Sequence, residues 1–240
     1  MRLPRVHGVI RRRLLVNFRI DPAVVQRLLP DPFQPKLHDG YAVGGICLIR
    51  LEGIRPKRVP EMFGLSSENA AHRFAITWRD EAGQHDGVYI PRRDSGSLLN
   101  QLAGGRIFPG EHHPARFDVV DTGERVRIDM ESYDHAVKVH VDGAAGSELP
   151  TGSIFPSIED ASAFFESGSL GYSATSGGHK LDGVTLHTHG WEVRPLRIDS
   201  VSSSYFADET LFPRGTVNFD CALIMRNIDH DWEPSSPMYA

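Results

Sequence analysis

The feature that most constrains this chain is a set of short stretches in which apolar and polar residues alternate. Between residues 125 and 131, Val126, Ile128 and Met130 alternate with charged residues. After a turn, residues 137–142 repeat the pattern with three valines. Successive side chains of a β-strand point to opposite faces, so this alternation predicts a β-hairpin with one buried and one solvated face.

Further strands are predicted where short apolar segments are bounded by glycine and proline, of which the sequence has 23 and 16. These segments are residues 42–51, 71–79, 116–121, 184–192 and 217–226. Many short strands with few helices favour an α+β fold that is mostly β. Within that class, the pattern favours an antiparallel, barrel-like arrangement.

Three short helices are predicted between the strands. Asp21 is an N-cap residue followed by proline, which predicts a helix over residues 23–29. Ser157, with an acidic residue three positions later, predicts a helix over residues 157–167. Residues 95–103 are the third candidate. Helices are therefore a minor part of the predicted fold.

Composition narrows the class of protein. The 240 residues are 40% hydrophobic and 24% charged, which is typical of a globular protein. We expect a single domain over residues 1–240, with a flexible tail at residues 233–240. The net charge of −5 argues against a nucleic-acid binder. The basic run Arg11-Arg12-Arg13 is interpreted as a solvated strand edge.

The cysteines and the apolar segments indicate the compartment. Cys47 and Cys221 lie in apolar runs and are interpreted as buried core residues. The sequence has no disulfide framework, and residues 1–5 lack the apolar core of a signal peptide. Apolar stretches fall short of the roughly 20 residues that span a bilayer. We therefore expect a cytoplasmic protein that does not contact a membrane.

Two pairs of adjacent glycines differ from the known motifs of cofactor-binding loops. Gly104-Gly105 follows a predicted helix and is interpreted as its C-cap, and Gly177-Gly178 is interpreted as a turn. Neither pair matches a phosphate-binding loop with its lysine or a dinucleotide fingerprint. The sequence also lacks the Gly-x-Ser-x-Gly elbow of a serine hydrolase. We therefore predict no cofactor.

Four segments, taken in order, resemble a known family. They are Asp21-Pro22 to Leu28-Leu29-Pro30 with Asp39-Gly40-Tyr41-Ala42, Ile54-Arg55-Pro56 with Glu68-Asn69, Gly87-Val88-Tyr89-Ile90, and His187-x-His189-x-Trp191 with Pro195. Over about residues 10–213, the chain resembles the uncharacterised branch of the acetoacetate decarboxylase-like superfamily. This resemblance implies a β-barrel-based fold with a pocket inside the barrel.

The resemblance also shows a departure from the family's chemistry. In the name-giving decarboxylase, a Pro-Lys-Lys motif supplies a Schiff-base lysine, and the matching stretch here is Pro91-Arg92-Arg93. A Schiff base needs a neutral amine, whereas arginine stays protonated. The four lysines, Lys36, Lys57, Lys138 and Lys180, all lie outside this motif. The chain is therefore expected not to decarboxylate through an imine.

The same resemblance implies a set of site residues. Glu68 matches an acidic pocket residue and is predicted to be a general acid/base. Arg92 is predicted to be a catalytic group that holds a carboxylate with both arms of its guanidinium. The predicted substrate-binding residues are Arg93, Asn69, His72, Tyr89 and Trp191. Strand alternation lets only one of Arg92 and Arg93 face inward.

Each of these predictions has a structural alternative. The two arginines would then be surface charges paired with Asp94 or Glu81, and Glu68 would lie in a turn. His187 and His189 share one face of a strand and have the spacing of metal ligands, but two histidines do not make a site. We therefore predict no metal.

The sequence leaves two functions open. The first is a lyase-type enzyme that acts on a small keto acid or other carboxylate without a Schiff base. The second is a non-catalytic metabolite-binding barrel. The expected partner is a small-molecule carboxylate in both cases, and exposed barrel edges would favour a homo-oligomer. Burial of Glu68 beside the arginine would favour the enzyme.

Overall fold

The computed structural model of the protein describes residues 5–97, 110–175 and 180–239, which form thirteen β-strands and two α-helices. The strands are β1 (Val6–Ile20), β2 (Gln34–Pro35), β3 (Leu37–His38), β4 (Tyr41–Pro56), β5 (Leu65–Asp80), β6 (Gly83–Ser95), β7 (His112–Asp121), β8 (Arg125–Ser132), β9 (Lys138–Ala145), β10 (Leu170–Ala174), β11 (Lys180–His189), β12 (Arg194–Ser203) and β13 (Val217–Tyr239). The helices are α1 (Pro22–Leu28) and α2 (Ile158–Glu166), and a 3-10 turn spans Glu61–Phe63.

The strands close two rings that share β13, β1, β4, β5 and β6. A seven-stranded ring is completed by β10 and β11, because β6 pairs with β10 and β11 pairs with β13. A nine-stranded ring is completed by β7, β8, β9 and β12. Pairing is antiparallel except for β6 with β10 and β6 with β7. The mostly β, barrel-like prediction is confirmed, with two rings in place of one regular barrel.

The shared strands have a buried core on each face. On β4, Ile46 and Leu48 point into the first core, which continues through Ile128, Met130, Val139 and Val141. Cys47 and Ile49 alternate with them and point into the second core, which includes Leu15, Leu223, Phe164 and Phe165. Because both faces of β4 are covered, its sequence is a continuous apolar run without alternation.

The predicted hairpin forms as β8 and β9, which pair with each other. Four of the other five predicted strands lie within β4, β5, β7 and β13, and the fifth, over residues 184–192, overlaps β11 but extends past its end at His189. Both described helices have the predicted caps, since the Asp21 side chain accepts from Ala23 N at 2.8 Å and Ser157 Oγ accepts from Asp160 N at 3.1 Å. Six strands, β1, β2, β3, β6, β10 and β12, are not among the predicted segments.

The helix predicted over residues 95–103 is wrong at its start, because Ser95 ends β6, and residues 98–103 lie outside the described residues. Gly104-Gly105 and Gly177-Gly178 also lie outside them. Residues 233–239, which belong to the predicted flexible tail, continue β13 and pair with β11 from Glu233 to Tyr239. In the described part of the chain, no helix is long and apolar enough to cross a membrane.

Candidate functional site

A cavity of about 90 Å³ lies inside the seven-stranded ring. Every strand of the ring contributes to its wall: Arg13 from β1, Cys47, Ile49 and Leu51 from β4, Asn69, Ala71 and Arg73 from β5, Val88, Ile90 and Arg93 from β6, Gly171 from β10, Val184 and Leu186 from β11, and Trp232 from β13. Most of these side chains are apolar, and three of them are arginines. We call this space the ring cavity.

Arg93 enters the ring cavity because β6 continues past Pro91 to Ser95. Its side chain is buried, and Nε donates to Ser173 Oγ at 3.2 Å. Its Nη2 has no hydrogen-bond partner among the described residues. Burial lowers the pKa of Arg93 to about 10, so the guanidinium is still charged at neutral pH. Arg93 therefore brings a buried cation to the cavity wall.

Arg73 brings a second buried cation from the neighbouring strand. Its Nη2 donates to Asn17 Oδ1 at 2.9 Å, while Nε has no partner among the described residues. The guanidinium carbon lies 5.1 Å from the centre of the Phe165 ring. Burial lowers the pKa of Arg73 to about 10, which leaves it charged at neutral pH.

Arg13 is the third cation of the ring cavity and is half-buried. Its Nε donates to Cys47 Sγ at 3.3 Å, and its guanidinium lies 5.9 Å from the ring centre of Trp191. Trp191 is held in turn by a hydrogen bond from Nε1 to Ser162 Oγ at 2.9 Å. Trp191, predicted to bind substrate, thus orients a cavity arginine without lining the cavity itself.

None of these three arginines forms an ion pair with a residue in the described ranges. Asp94 carries the only carboxylate among the described lining residues, and it accepts hydrogen bonds from Arg92. A buried charge without a counter-charge is costly, so structural arginines are usually paired. The ring cavity therefore has an excess of positive charge that an anion would neutralise.

His112 lines the ring cavity and is a candidate to exchange a proton with a ligand. His112 begins β7 and pairs with Arg93 across the parallel β6–β7 ladder. Burial, with added repulsion from Arg93 and His113, lowers the pKa of His112 to about 4. Its imidazole is therefore neutral at pH 7, and a neutral imidazole can both donate and accept a hydrogen bond.

Glu68 is not among the described residues that line the ring cavity. Its carboxylate accepts from Arg12 Nη2 at 2.7 Å, and Arg12 also contacts Asp121 at 3.2 Å. The register of β1 against β4 shifts between Ile10 and Arg12, so that Arg12 lies on the opposite face of the sheet from Ile10. Strand alternation places Glu68 on that same face, with Ala70 and Phe74 of β5. Arg12 and Arg13 are thus not a solvated strand edge, whereas Arg11 is exposed.

Arg92 also faces away from the ring cavity. Its guanidinium donates to Asp94 at 2.8 Å and to Asp134 at 2.9 Å. This is the pairing with Asp94 that we considered as its structural alternative. Arg93, one residue further along β6, faces inward, as strand alternation requires.

The remaining predicted substrate-binding residues are divided between the two faces. Asn69 lines the ring cavity, with its amide bonded to Ser67 and Ser95. His72 and Tyr89 belong instead to the buried interior on the other face. Burial lowers the pKa of His72 to about 3, with a contribution from Arg92. Neither His72 nor Tyr89 is among the described residues that line the ring cavity.

The paired histidines of β11 lie on the outer surface. His187 is 3.5 Å from Glu233, and His189 is 3.2 Å from Asp231. In the described ranges, no cluster of three or more histidine, cysteine or acidic side chains could hold a metal ion.

The four lysines lie away from the ring cavity. All four lie in the described part of the chain, and none is among the described residues that line the ring cavity. Lys57, Lys138 and Lys180 are largely exposed, and Lys36 pairs with Asp86.

Sequence reasoning missed Arg13, Arg73, Cys47 and His112 as cavity residues. Arg73 left a usable signal, since it is a lone charge within the apolar run from Ala70 to Trp78. Strand alternation then places it on the face of Asn69 and Ala71. The sequence gives no such signal for Arg13, because it is one of three adjacent arginines that the sequence does not distinguish.

Solved structures share this fold. Acetoacetate decarboxylase from Legionella pneumophila is 12% identical with a TM-score of 0.59, covering 97% of this chain and 87% of that one. An acetoacetate decarboxylase-like enzyme from Sphingomonas wittichii RW1 is 13% identical with a TM-score of 0.60, covering 100% and 94%. The enduracididine biosynthesis enzyme MppR complexed with pyruvate is 13% identical with a TM-score of 0.55, covering 100% and 91%.

These likenesses establish the acetoacetate decarboxylase-like fold and no more, because the identities are low. No curated protein matches the sequence. A family model does match, over residues 9–222, which includes most of the strands that build the ring cavity. The chain belongs to the DUF2071 family, whose description is uncharacterized conserved protein.

Proposed function

We propose that the ring cavity binds a small carboxylate, most suitably a short keto acid. The observation that carries this proposal is the set of three cavity arginines, Arg13, Arg73 and Arg93, with no carboxylate partner in the described residues. Guanidinium groups bind carboxylates through paired, charge-assisted hydrogen bonds. The open Nη2 of Arg93 and Nε of Arg73 are donors for such a ligand.

Size and polarity restrict the ligand further. A volume of about 90 Å³ accommodates several water molecules, at roughly 10–15 Å³ each, which suits a small ligand. The walls between the arginines are apolar, with Ile49, Ile90 and Val184 among them. A small anion with a short apolar end fits both features. MppR, which has this fold, is known in complex with pyruvate, and that supports the keto-acid class.

The enzyme hypothesis is lyase-type chemistry without a Schiff base. Arg93 would bind the carboxylate, and neutral His112 beside it would donate or accept a proton at the carbonyl oxygen or the adjacent carbon. Glu68 is not available for this role because it is paired with Arg12. The free thiols of Cys47 and Cys221 fit the proposed cytoplasmic location.

A non-catalytic metabolite-binding barrel is the second candidate. It is favoured by the absence of any lysine, and of any carboxylate other than the paired Asp94, among the described lining residues. In this case the arginines would supply affinity alone, and no proton transfer would occur.

The test is thermal unfolding in the presence of pyruvate, acetoacetate and acetate, each compared with its neutral amide. Ligand binding stabilises the native state by mass action, by about 2.7 kcal/mol at about 100 times the dissociation constant. We expect stabilisation by a carboxylate and none by its amide. Equal effects of both, or of neither, would refute the anion site. Proton NMR of the bound keto acid over hours then separates an enzyme, which forms product, from a binder.

A further inference from the structure

We propose that Cys47 is a nucleophile in the ring cavity and that it reacts with small anionic electrophiles held by the arginines. This inference rests on the proposed function, since the arginines must bind the anionic end of the molecule. It assigns a covalent role to a residue that sequence analysis interpreted as core.

Cys47 occupies the middle of the cavity wall. It pairs across the sheet with Leu15 on β1 and Ala71 on β5, and Ala71 pairs in turn with Arg93 on β6. Arg13 donates a hydrogen bond from Nε to Cys47 Sγ at 3.3 Å. The sulfur therefore lies on the same inner face as all the cavity arginines.

Cationic groups approach Cys47 from three strands. Besides the contact with Arg13, the charges of Arg73 and Arg93 both interact electrostatically with Cys47. Reactive cysteines typically lie in electropositive, partly accessible surroundings, because the thiolate is the nucleophile.

The arginines independently indicate a ligand next to this thiol. Arg73 is 6% exposed and Arg93 is 9% exposed, and each has a guanidinium nitrogen without a partner in the described ranges. These nitrogens belong to side chains that line the same cavity of about 90 Å³ as Cys47. An anion bound to either arginine would therefore share this cavity with the sulfur.

The reaction with a 2-oxo acid is a reversible addition. Cys47 Sγ forms a bond to the keto carbon, the carbonyl π pair moves to oxygen, and the thiol proton is transferred to that oxygen. The product is a hemithioketal, and the step needs no other reactant. It would provide the covalent attachment that the chain cannot make through a lysine.

Cys221 is a matched control in the same chain. It is also free and fully buried, but it is not among the residues that line the ring cavity. Burial and the neighbouring Asp220 raise the pKa of the Cys221 thiol. Arg73 interacts electrostatically with both sulfurs, but Cys221 lacks the contact with Arg13 and the interaction with Arg93 that Cys47 has.

The experiment compares alkylation of the folded protein by iodoacetate and iodoacetamide, with peptide mass spectrometry to locate the label. In both reactions the sulfur displaces iodide and forms a carbon–sulfur bond. An ordinary thiol reacts faster with the neutral iodoacetamide. At Cys47 we expect iodoacetate to react faster by about tenfold, as electrostatic focusing in a cationic cleft allows. Cys221 should stay unlabelled, and pyruvate should protect Cys47.

Variants and a second measurement complete the test. Arg93→Met and Arg73→Met, checked for native circular dichroism, should remove the preference for iodoacetate, whereas Cys221→Ala should keep it. With [2-13C]pyruvate, the ketone resonance should shift to that of a saturated carbon. Faster labelling of Cys47 by iodoacetamide, or no labelling at all, would overturn the role of Cys47. If carboxylates still stabilise the protein in that case, the proposed function stands without this inference.

Discussion

Arg73 crosses a neighbouring strand to reach Asn17, with its Nη2 donating to Asn17 Oδ1 at 2.9 Å. The residue between them, on β4, is Gly45, which pairs with Arg73 on one side and with Asn17 on the other. Gly45 has no side chain, so the guanidinium can lie over the sheet inside the ring. The position of one cavity cation therefore depends on a glycine.

Replacing Gly45 by alanine should displace Arg73 and destabilise the protein. The new Cβ would lie 2.4 Å from the Val16 carbonyl oxygen and 3.2 Å from Asn17 Oδ1. We expect a loss of about 2 kcal/mol, typical of overpacking, with weaker carboxylate binding. Urea unfolding measures the first effect. Gly168→Ala is the control, since its Cβ would meet no described atom closer than 3.4 Å. If Gly45→Ala and Gly168→Ala were equally stable, the glycine at position 45 would not be needed for Arg73 to cross β4.

The adjacent residues Arg92 and Arg93 should respond in opposite ways to substitution by methionine. Arg92→Met leaves Asp94, which is 1% exposed, without its ion-pair partner, and should cost about 3 kcal/mol. Arg93→Met removes a buried cation that has no counter-charge, and should leave stability unchanged or raise it by about 1 kcal/mol.

Urea unfolding without ligand measures both of these changes. A large loss of stability in Arg93→Met would mean that Arg93 has a structural partner. The inference that the cavity has an excess of positive charge would then be wrong.

Buried neutral histidines should make the protein less stable in mild acid. Burial, with added repulsion from His7 and Arg13, lowers the pKa of His230 from 6.5 to about 4. Between these two values the unfolded chain binds the proton and the native state does not. The contribution of His230 to the free energy of unfolding is therefore constant above about pH 6.5. Below that pH it falls by about 1.4 kcal/mol per pH unit.

Urea unfolding at about pH 7.5 and about pH 5 should show this effect as a difference between the protein and His230→Met. The variant should lose about 2 kcal/mol less than the unaltered chain over this interval. The same acid sensitivity in both proteins would show that His230 is protonated in the native state.

Deleting residues 233–240 tests the closure of the seven-stranded ring. This segment pairs with β11, Ser235 Oγ lies 2.6 Å from Thr185 Oγ1, and Met238 packs on the first core. Since each hydrogen bond contributes about 1 kcal/mol, loss of several rungs should destabilise the protein by at least about 3 kcal/mol. A flexible tail would make the truncated and complete chains melt at the same temperature.

The predicted and missed strands show which information the sequence contains. Segments such as Val126–Met130 and Ile46–Ile49 were predicted as strands, because one or both of their faces are apolar. β1 was missed because charges interrupt its apolar pattern at Arg11, Arg12 and Arg13. Two of these arginines are buried or half-buried, and nothing local distinguishes them from the exposed one.

The site was harder to predict than the fold, since it depends on contacts between distant residues. Glu68 and Arg12 are 56 positions apart in sequence, and their pairing depends on a register shift in β1 that no local pattern indicates. The resemblance correctly implied a pocket inside a ring of strands. It could not show which side chains face inward, because one step along a strand reverses the face.

The most direct test of the central claim is isothermal titration of pyruvate into the unaltered protein, Arg93→Met and Arg11→Met. Arg11 is an exposed arginine paired with Glu52, so its replacement controls for net charge. An anion site built on Arg93 predicts that Arg11→Met binds as the unaltered protein does, while Arg93→Met binds at least about tenfold more weakly, a difference of about 1.4 kcal/mol. Equal affinity of all three proteins would contradict the account.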